Sequence, residues 1–109
     1  MVQQMEALAK ENAVTTVATR ERQIGDLEGF DIVIKDARTG IDLNPRDNGR
    51  VGPYPYAKSL KGAKTVADWR RDRFEAAYPG LTCDVLDADG NIVAAQTHLR
   101  TVRETYEGD

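Results

Sequence analysis

The chain has 109 residues, of which 40% are hydrophobic and 30% are charged, a length that corresponds to about one domain. Its net charge of −3 argues against a protein that coats nucleic acid, because that class is strongly basic. One cysteine rules out an intramolecular disulfide, and one histidine rules out every zinc site that needs two imidazoles. We therefore expect a single domain over residues 1–109 with one modest core.

The sequence shows no targeting or membrane signal. It begins without the basic stretch and apolar run of a signal peptide, and no window is apolar enough to span a membrane. The single Cys83 fits a reducing compartment, so we expect a cytoplasmic protein. No repeat is recognisable at periods of about 20–50 residues.

The first 43 residues alternate between predicted regular elements and turns. Good helix formers over residues 3–12 predict a short helix, and β-branched residues over 14–19 predict a strand. Glycines at 25 and 29 predict a turn, and alternation over residues 30–35 predicts a second strand. Its apolar face carries Phe30, Ile32 and Ile34. Turn residues after this strand favour a short return strand at 41–43.

The middle of the chain predicts a long loop followed by the main helix. Residues 44–64 are rich in proline and glycine, and an irregular segment of this length is usually functional or mobile. Thr65 and Asp68 form a capping-box pattern that opens a helix over about residues 65–78, and a Pro-Gly pair ends it.

A hairpin is predicted over residues 81–95, with Gly90 at its tip, and a short helix is predicted near the C-terminus. The whole pattern predicts an α+β fold. We expect a small antiparallel sheet of two hairpin-like units, with the main helix between them and short N- and C-terminal helices.

Positive charge is concentrated in the middle of the sequence. Residues 46–73 hold eight basic side chains against three carboxylates, a net charge of +5. The flanking segments are acidic, with −3 over residues 1–45 and −5 over residues 74–109. Two interpretations stay open: the basic segment is neutralised internally against the acidic hairpin, or it faces an anionic partner.

Two arginines interrupt the apolar face of the main helix. At about 100° per residue, Arg70 and Arg73 fall within the apolar arc, whereas Arg71 lies outside it. Because burying a guanidinium costs several kcal/mol, each should reach solvent, pair with a carboxylate such as Asp31 or Asp84, or contact a ligand. We expect Arg73 to be structural and Arg70 to be available to a partner.

Alternating proline and tyrosine residues predict an extended segment within the long loop. Tyr54 and Tyr56 are flanked by basic residues, and tyrosine and arginine are enriched at binding hot spots. The alternative is that both tyrosines fold back as a lid over the core. The predicted partner-binding set is Arg50, Tyr54, Tyr56, Lys58, Arg70 and Arg71.

Motifs for catalysis or for metal and cofactor binding are lacking. No phosphate-binding glycine loop, zinc-protease motif or nucleophile elbow occurs, so no catalytic, cofactor or metal residue is predicted. Cys83 is expected to be an inert core residue rather than a thiol activated by His98. The turn at Asp87 is expected to connect two strands rather than to bind calcium.

These observations predict a small non-enzymatic binding or adaptor module for another macromolecule, most simply a protein. Small, motif-poor chains of this kind are typical of accessory proteins of phages and mobile elements. The alternative is a nucleic-acid-binding protein that uses the basic residues 46–73, and a small-molecule enzyme is the third class. Exposed sheet edges would also permit a homodimer.

Overall fold

The computed structural model describes residues 15–107, and the helix predicted over residues 3–12 lies outside this range. The described chain is α+β, with three helices and a two-stranded antiparallel sheet. In chain order the elements are α1 (Val17–Glu28), β1 (Asp31–Asp36), α2 (three consecutive segments, Val66–Trp69, Arg70–Phe74 and Glu75–Ala77), β2 (Leu81–Leu86) and α3 (Leu99–Glu107). The main helix, both central strands and the C-terminal helix were therefore predicted correctly.

β1 and β2 form the sheet, with Ile34 opposite Cys83 and Ile32 opposite Val85. These four side chains are buried, as the alternation predicts. The predicted return strands are much shorter than expected, because the chain soon leaves the sheet to cap a helix. They are reduced to isolated bridges, namely Lys35 with Asp42 and Leu86 with Ile92.

The strand predicted over residues 14–19 is wrong, because α1 begins at Val17. Thr16 is the N-cap, and its hydroxyl accepts the amide N–H of Thr19 at 3.2 Å. Two further amides of the first turn donate to the carbonyls of Asp47 and Pro45. These bonds satisfy the start of the helix and outweigh the strand preference of its β-branched residues.

The turn predicted between Gly25 and Gly29 is only partly present, because the chain turns at Gly29 and not at Gly25. Gly25 lies inside α1, where a Cβ atom would come within 2.9 Å of the carbonyl oxygen of Phe30. Gly29 ends the helix with φ of +92°, and its amide donates to the carbonyl of Gly25. The first glycine therefore permits close packing, and only the second makes a turn.

The described chain contains two similar units, residues 16–48 (unit 1) and residues 65–98 (unit 2). Each unit has a threonine N-cap, a helix, a strand and an aspartate turn, and ends in a bridge to its own cap. The two bridges are Thr16 with Asn48 and Thr65 with His98. The sheet register is symmetric with respect to the two units, because the pair Ile34–Cys83 corresponds to the pair Val85–Ile32.

The expectation that the chain has no repeat is therefore wrong for its structure. The spacing of equivalent residues is 49 at the caps, 51 in the strands and 50 at the closing bridges. Unit 2 therefore has two more residues than unit 1 between cap and strand, where α2 contains the π-helical turn Arg70–Phe74, and one fewer between strand and closing bridge. A search for a constant period misses a repeat whose spacing changes along the unit.

The starts of α2 and α3 cap each other. The first two amides of each helix donate to carbonyls of the segment that precedes the other helix, at 2.8–3.1 Å. The four bonds run from Val66 to Thr97, from Ala67 to Ala95, from Leu99 to Lys64 and from Arg100 to Gly62. Otherwise unpaired donors at two helix ends are satisfied by one reciprocal arrangement.

One hydrophobic core lies between the sheet and the helices. Its largest fully buried side chains include Trp69, Phe30 and Phe74. The rings of Phe30 and Trp69 meet edge to face, with centroids 5.1 Å apart. The capping box predicted at Thr65 and Asp68 is present and starts α2. Because Trp69 of α2 packs against Phe30 of unit 1, both units share this core.

Candidate partner-binding surface

The long loop predicted at 44–64 has no helix or strand between its bridges at Asn48 and Thr65. Its central part, residues 51–60, is nevertheless attached to the core and is called the anchored loop below. Arg20 donates to the carbonyl of Val51 at 3.3 Å, and the hydroxyl of Tyr78 donates to the carbonyl of Gly52 at 2.8 Å. These contacts fix the beginning of the loop.

Glu28, the last residue of α1, holds the rest of the anchored loop. Its side chain is 0% exposed and lies among donors from three other parts of the chain. One carboxylate oxygen accepts from Tyr54 at 2.5 Å and Arg73 at 2.7 Å. The other accepts from the amide of Leu60 at 2.9 Å and from Arg103 at 3.5 Å. A buried carboxylate therefore connects α1, α2, α3 and the loop.

The two arginines beside Glu28 differ in their pKa shifts. Burial lowers the pKa of Arg73, but its hydrogen bond and attraction to Glu28 outweigh this, so the pKa is raised overall. Burial also lowers the pKa of Arg103, and its attraction to Glu28 offsets only part of that effect. Arg73 has the shorter contact with Glu28 and a further favourable interaction with Tyr54, whereas the positive charge of Arg73 lowers the pKa of Arg103 in addition to burial.

Arg73 is structural, as expected, although its partner carboxylate is neither Asp31 nor Asp84. It pairs with Glu28, and it also donates to the carbonyl of Lys58 at 2.6 Å. Asp84 instead pairs with Lys35 across the sheet at 2.7 Å.

Tyr54 folds back over the core, which was the alternative to its prediction as a partner-binding residue. Its hydroxyl donates to Glu28 and accepts from the indole N–H of Trp69 at 3.0 Å. Burial, and then the negative charge of Glu28, raise the pKa of Tyr54 well above its usual range. Its polar atom is thus used inside the molecule.

Tyr56 is half-buried beside Tyr54, with ring centroids 5.0 Å apart. The guanidinium carbon of Arg73 lies 4.4 Å from the centroid of the Tyr56 ring. The Tyr56 hydroxyl donates to the carbonyl of Asp72 at 3.4 Å. Tyr56 therefore joins the anchored loop to α2 and presents only part of its ring to solvent.

Arg70 lies in the π-helical turn and donates to the carbonyl of Cys83 at 2.9 Å. Glu21 occupies the same position, the fifth residue, in the helix of unit 1, and accepts the amide N–H of Ile34 at 2.8 Å. Each side chain therefore binds a backbone group at an edge of the sheet. This explains why a charged residue lies within the apolar arc of α2.

Arg50 and Arg71 are exposed and lie beside carboxylates. Arg50 is 3.6 Å from Asp36, and Arg71 is 2.8 Å from Asp72 and 3.2 Å from Asp68. Backbone N–H donors lower the pKa of Asp36 and Asp68, whereas Arg71 itself is the main cause of the lowered pKa of Asp72. Exposed pairs of this kind contribute little stability and leave both arginines accessible.

The basic segment is therefore only partly neutralised. Three of its eight cations pair with carboxylates, and these lie in residues 28–36 or within the segment itself, not in the hairpin at 81–95. The four other exposed cations of the basic segment form no ion pair with any residue in the range 15–107. They are Arg46, Lys58, Lys61 and Lys64.

A further cation joins this group from the far end of the chain. Arg100 is exposed, and its amide donates to the carbonyl of Gly62 at 3.1 Å, between Lys61 and Lys64. A Cβ atom on Gly62 would lie 2.8 Å from the Cβ of Arg100, so the two segments are in close contact. We call Lys58, Lys61, Lys64 and Arg100 the basic surface.

The other candidate residues lie elsewhere. Cys83 is 1% exposed in the middle of β2, and burial raises the pKa of its thiol well above the usual range. His98 is exposed and forms a bridge with Thr65. The carboxylate of Asp87 accepts two amides of its own turn, which is ordinary Asx-turn chemistry.

The predicted binding set is thus divided. Tyr54, Tyr56 and Lys58 lie in the anchored loop, and Arg71 lies in α2. Arg50 lies beside Asp36 of β1, and the side chain of Arg70 extends from α2 to β2. Sequence reasoning missed Glu28, because α1 itself was missed. It also missed Arg100, since nothing in the sequence places residue 100 beside residue 62.

Comparison with protein-family models, curated proteins and solved structures finds no match for this chain. Over residues 15–107, no helix combines the length and apolar character needed to cross a membrane. In the same range, no cluster of histidine, cysteine and carboxylate side chains has a metal-binding arrangement.

Proposed function

We propose that this protein is a non-enzymatic binding module in the cytoplasm whose partner is another protein. The observation that carries the proposal is the anchored loop itself. A loop without regular structure is attached to a buried carboxylate, and it presents Lys58, which has no ion pair among the described residues. Fixing a loop in advance lowers the entropy cost of binding, which favours a recognition role.

The state of the aromatic rings favours a protein over a nucleic acid. Single-stranded nucleic acids bind by stacking bases on exposed rings. Trp69 is 0% exposed, Tyr54 is bonded within the core, and Arg73 covers one face of Tyr56. Two carboxylates, Asp68 and Asp72, also lie beside Arg71 and would repel a phosphate backbone.

Affinity capture from nuclease-treated native lysate tests the proposal. The wild type is compared with Lys58→Glu/Lys61→Glu and with a control, Arg22→Glu/Arg38→Glu, which makes the same charge change at exposed residues of α1 and the first turn. We expect one protein to bind the wild type and the control but not the loop variant. Recovery only without nuclease would favour the nucleic-acid alternative, and equal recovery by both variants would contradict the proposed surface.

A further inference from the structure

We infer that the partner is recognised through a carboxylate-rich protein segment, which binds across the basic surface formed by Lys58, Lys61, Lys64 and Arg100. This inference rests on the proposed function and specifies the chemistry of its partner. It also extends the contact beyond the anchored loop, to the start of α3.

Two distant parts of the chain supply the charge. The lysines come from the segment before α2, whereas Arg100 comes from the first turn of α3. The amide of Leu99 donates to the carbonyl of Lys64 at 2.8 Å, and that of Arg100 donates to Gly62 at 3.1 Å. The backbone positions of Lys61, Lys64 and Arg100 relative to one another are therefore fixed before any ligand binds.

Gly62 makes this spacing possible. A side chain at this position would contact Arg100 at the level of its Cβ and Cα atoms, 2.8 and 3.4 Å away. Backbone cannot move aside as easily as the end of a flexible side chain. A methyl group at residue 62 would therefore separate the two segments without changing any charge.

The surroundings of the basic surface favour separate carboxylates over a continuous phosphate chain. Arg71 and, to a smaller extent, Lys64 lower the pKa of Asp72, so this carboxylate of α2 lies near the basic surface. Glu104 lies one turn after Arg100 on α3, where it is exposed. Duplex DNA carries a negative charge about every 1.7 Å along its axis and would place phosphates beside these groups. A peptide can place its acidic residues at the cations only.

Fluorescence anisotropy with a labelled ten-residue peptide of alternating glutamate and glycine tests the inference. We expect salt-sensitive binding that weakens at least about tenfold in Lys61→Glu/Arg100→Glu, which reverses one charge from each of the two segments. The control Arg22→Glu/Arg38→Glu should bind within about twofold of the wild type, and the glutamine version of the peptide should not bind. Equal weakening in both variants would overturn the site.

A second pair of variants tests the spacing without changing charge. Gly62→Ala should weaken peptide binding, whereas a folded Gly40→Ala, whose Cβ meets no atom within 4 Å in the turn of unit 1, should not. A folded Gly62→Ala protein that binds like the wild type would overturn the fixed spacing. If Gly62→Ala does not fold, the Lys61→Glu/Arg100→Glu variant still decides the site.

The outcomes also separate this inference from the proposed function. If the peptide does not bind but Lys58→Glu/Lys61→Glu still loses its protein partner from lysate, the acidic chemistry is wrong and the binding module stands. If a ten-nucleotide single-stranded DNA binds more tightly than the peptide at the same surface, both are overturned.

Discussion

Units 1 and 2 share the order of their elements and the bonds that cap their helices, but they carry opposite charges at one equivalent position. Glu21 of α1 accepts from an amide of β1, whereas Arg70 of α2 donates to a carbonyl of β2. A strand edge offers both kinds of backbone group, so an acid or a base is accommodated according to which group it meets. The comparison shows that the repeat is one of backbone hydrogen bonding rather than of side-chain type.

A second difference lies at the ends of the two helices. Both ends bind the anchored loop, but they do so with different chemical groups. Tyr78, which follows α2, donates to the carbonyl of Gly52, and burial raises its pKa to about 12. Glu28 at the end of α1 uses a fully buried carboxylate with two arginines. The attachment of the anchored loop to unit 1 therefore depends on charge balance, whereas its attachment to unit 2 through Tyr78 does not.

The largest effect is expected when this charge balance is broken. Glu28→Ala should lower the free energy of unfolding by about 3–5 kcal/mol, because it leaves Arg73 and Arg103 without their carboxylate. Chemical denaturation measures this loss. Asp26→Ala is the control, since Asp26 is exposed in the same helix and should change stability by less than about 0.5 kcal/mol. A loss in Glu28→Ala that is as small as the loss in the control would mean that the buried network does not stabilise the protein.

The aspartate turns test whether the two units tolerate strain equally. Gly40 and Gly90 have φ of +73° and +84°, and a Cβ at either position would meet no atom within 4 Å. Valine at either site should cost roughly 1–2 kcal/mol through backbone strain alone. Thermal unfolding of Gly40→Val and Gly90→Val should give similar losses. An unchanged melting temperature for one variant would show that its turn is not formed as described.

Arg70→Ala should have a smaller effect, about 1 kcal/mol, because it removes one hydrogen bond from a half-exposed side chain. Arg71→Ala on the same helix is the control and should change stability by less than about 0.5 kcal/mol. Equal stability of the two variants in urea would return Arg70 to the group that is available to a partner.

Glu21→Gln should have the smallest effect and should reveal a dependence on pH. Burial raises the pKa of Glu21 above 4.5 in the folded protein, so the folded state binds its proton more tightly than the unfolded state. The resulting stability is present below the unfolded pKa and is lost as pH rises through the folded pKa. The free energy of unfolding of the variant, relative to that of the wild type, should therefore be greater at about pH 7 than at about pH 4.5, by roughly 0.5 kcal/mol or less. Urea unfolding at both pH values measures the gain, and a gain at low pH instead would contradict this sign.

Local patterns in the sequence predicted unit 2 well. The capping box at Thr65 and the alternation in β2 are short-range signals, and both are present in the structure. Unit 1 was harder, because the cap of α1 depends on carbonyls about 30 residues away and Gly25 interrupts its helix pattern. Local propensity does not include such partners.

The candidate site was predicted in part for the same reason. The charge partition drew attention to Lys58, but the position of Tyr54 depends on Glu28, which lies 26 residues away. Likewise, Arg100 joins Lys61 and Lys64 only through backbone contacts formed on folding. Composition identifies a basic segment, whereas tertiary contacts decide which of its cations remain exposed.

The reciprocal caps of α2 and α3 have a consequence for hydrogen exchange. Neither helix can fray at its start without releasing carbonyl partners of the other, so their first turns should open as one cooperative unit. The amide hydrogens of Ala67 and Arg100 should then exchange with the same opening free energy, although 33 positions separate them in the sequence. The basic surface lies on this junction, so a ligand bound there would slow exchange in both helices together.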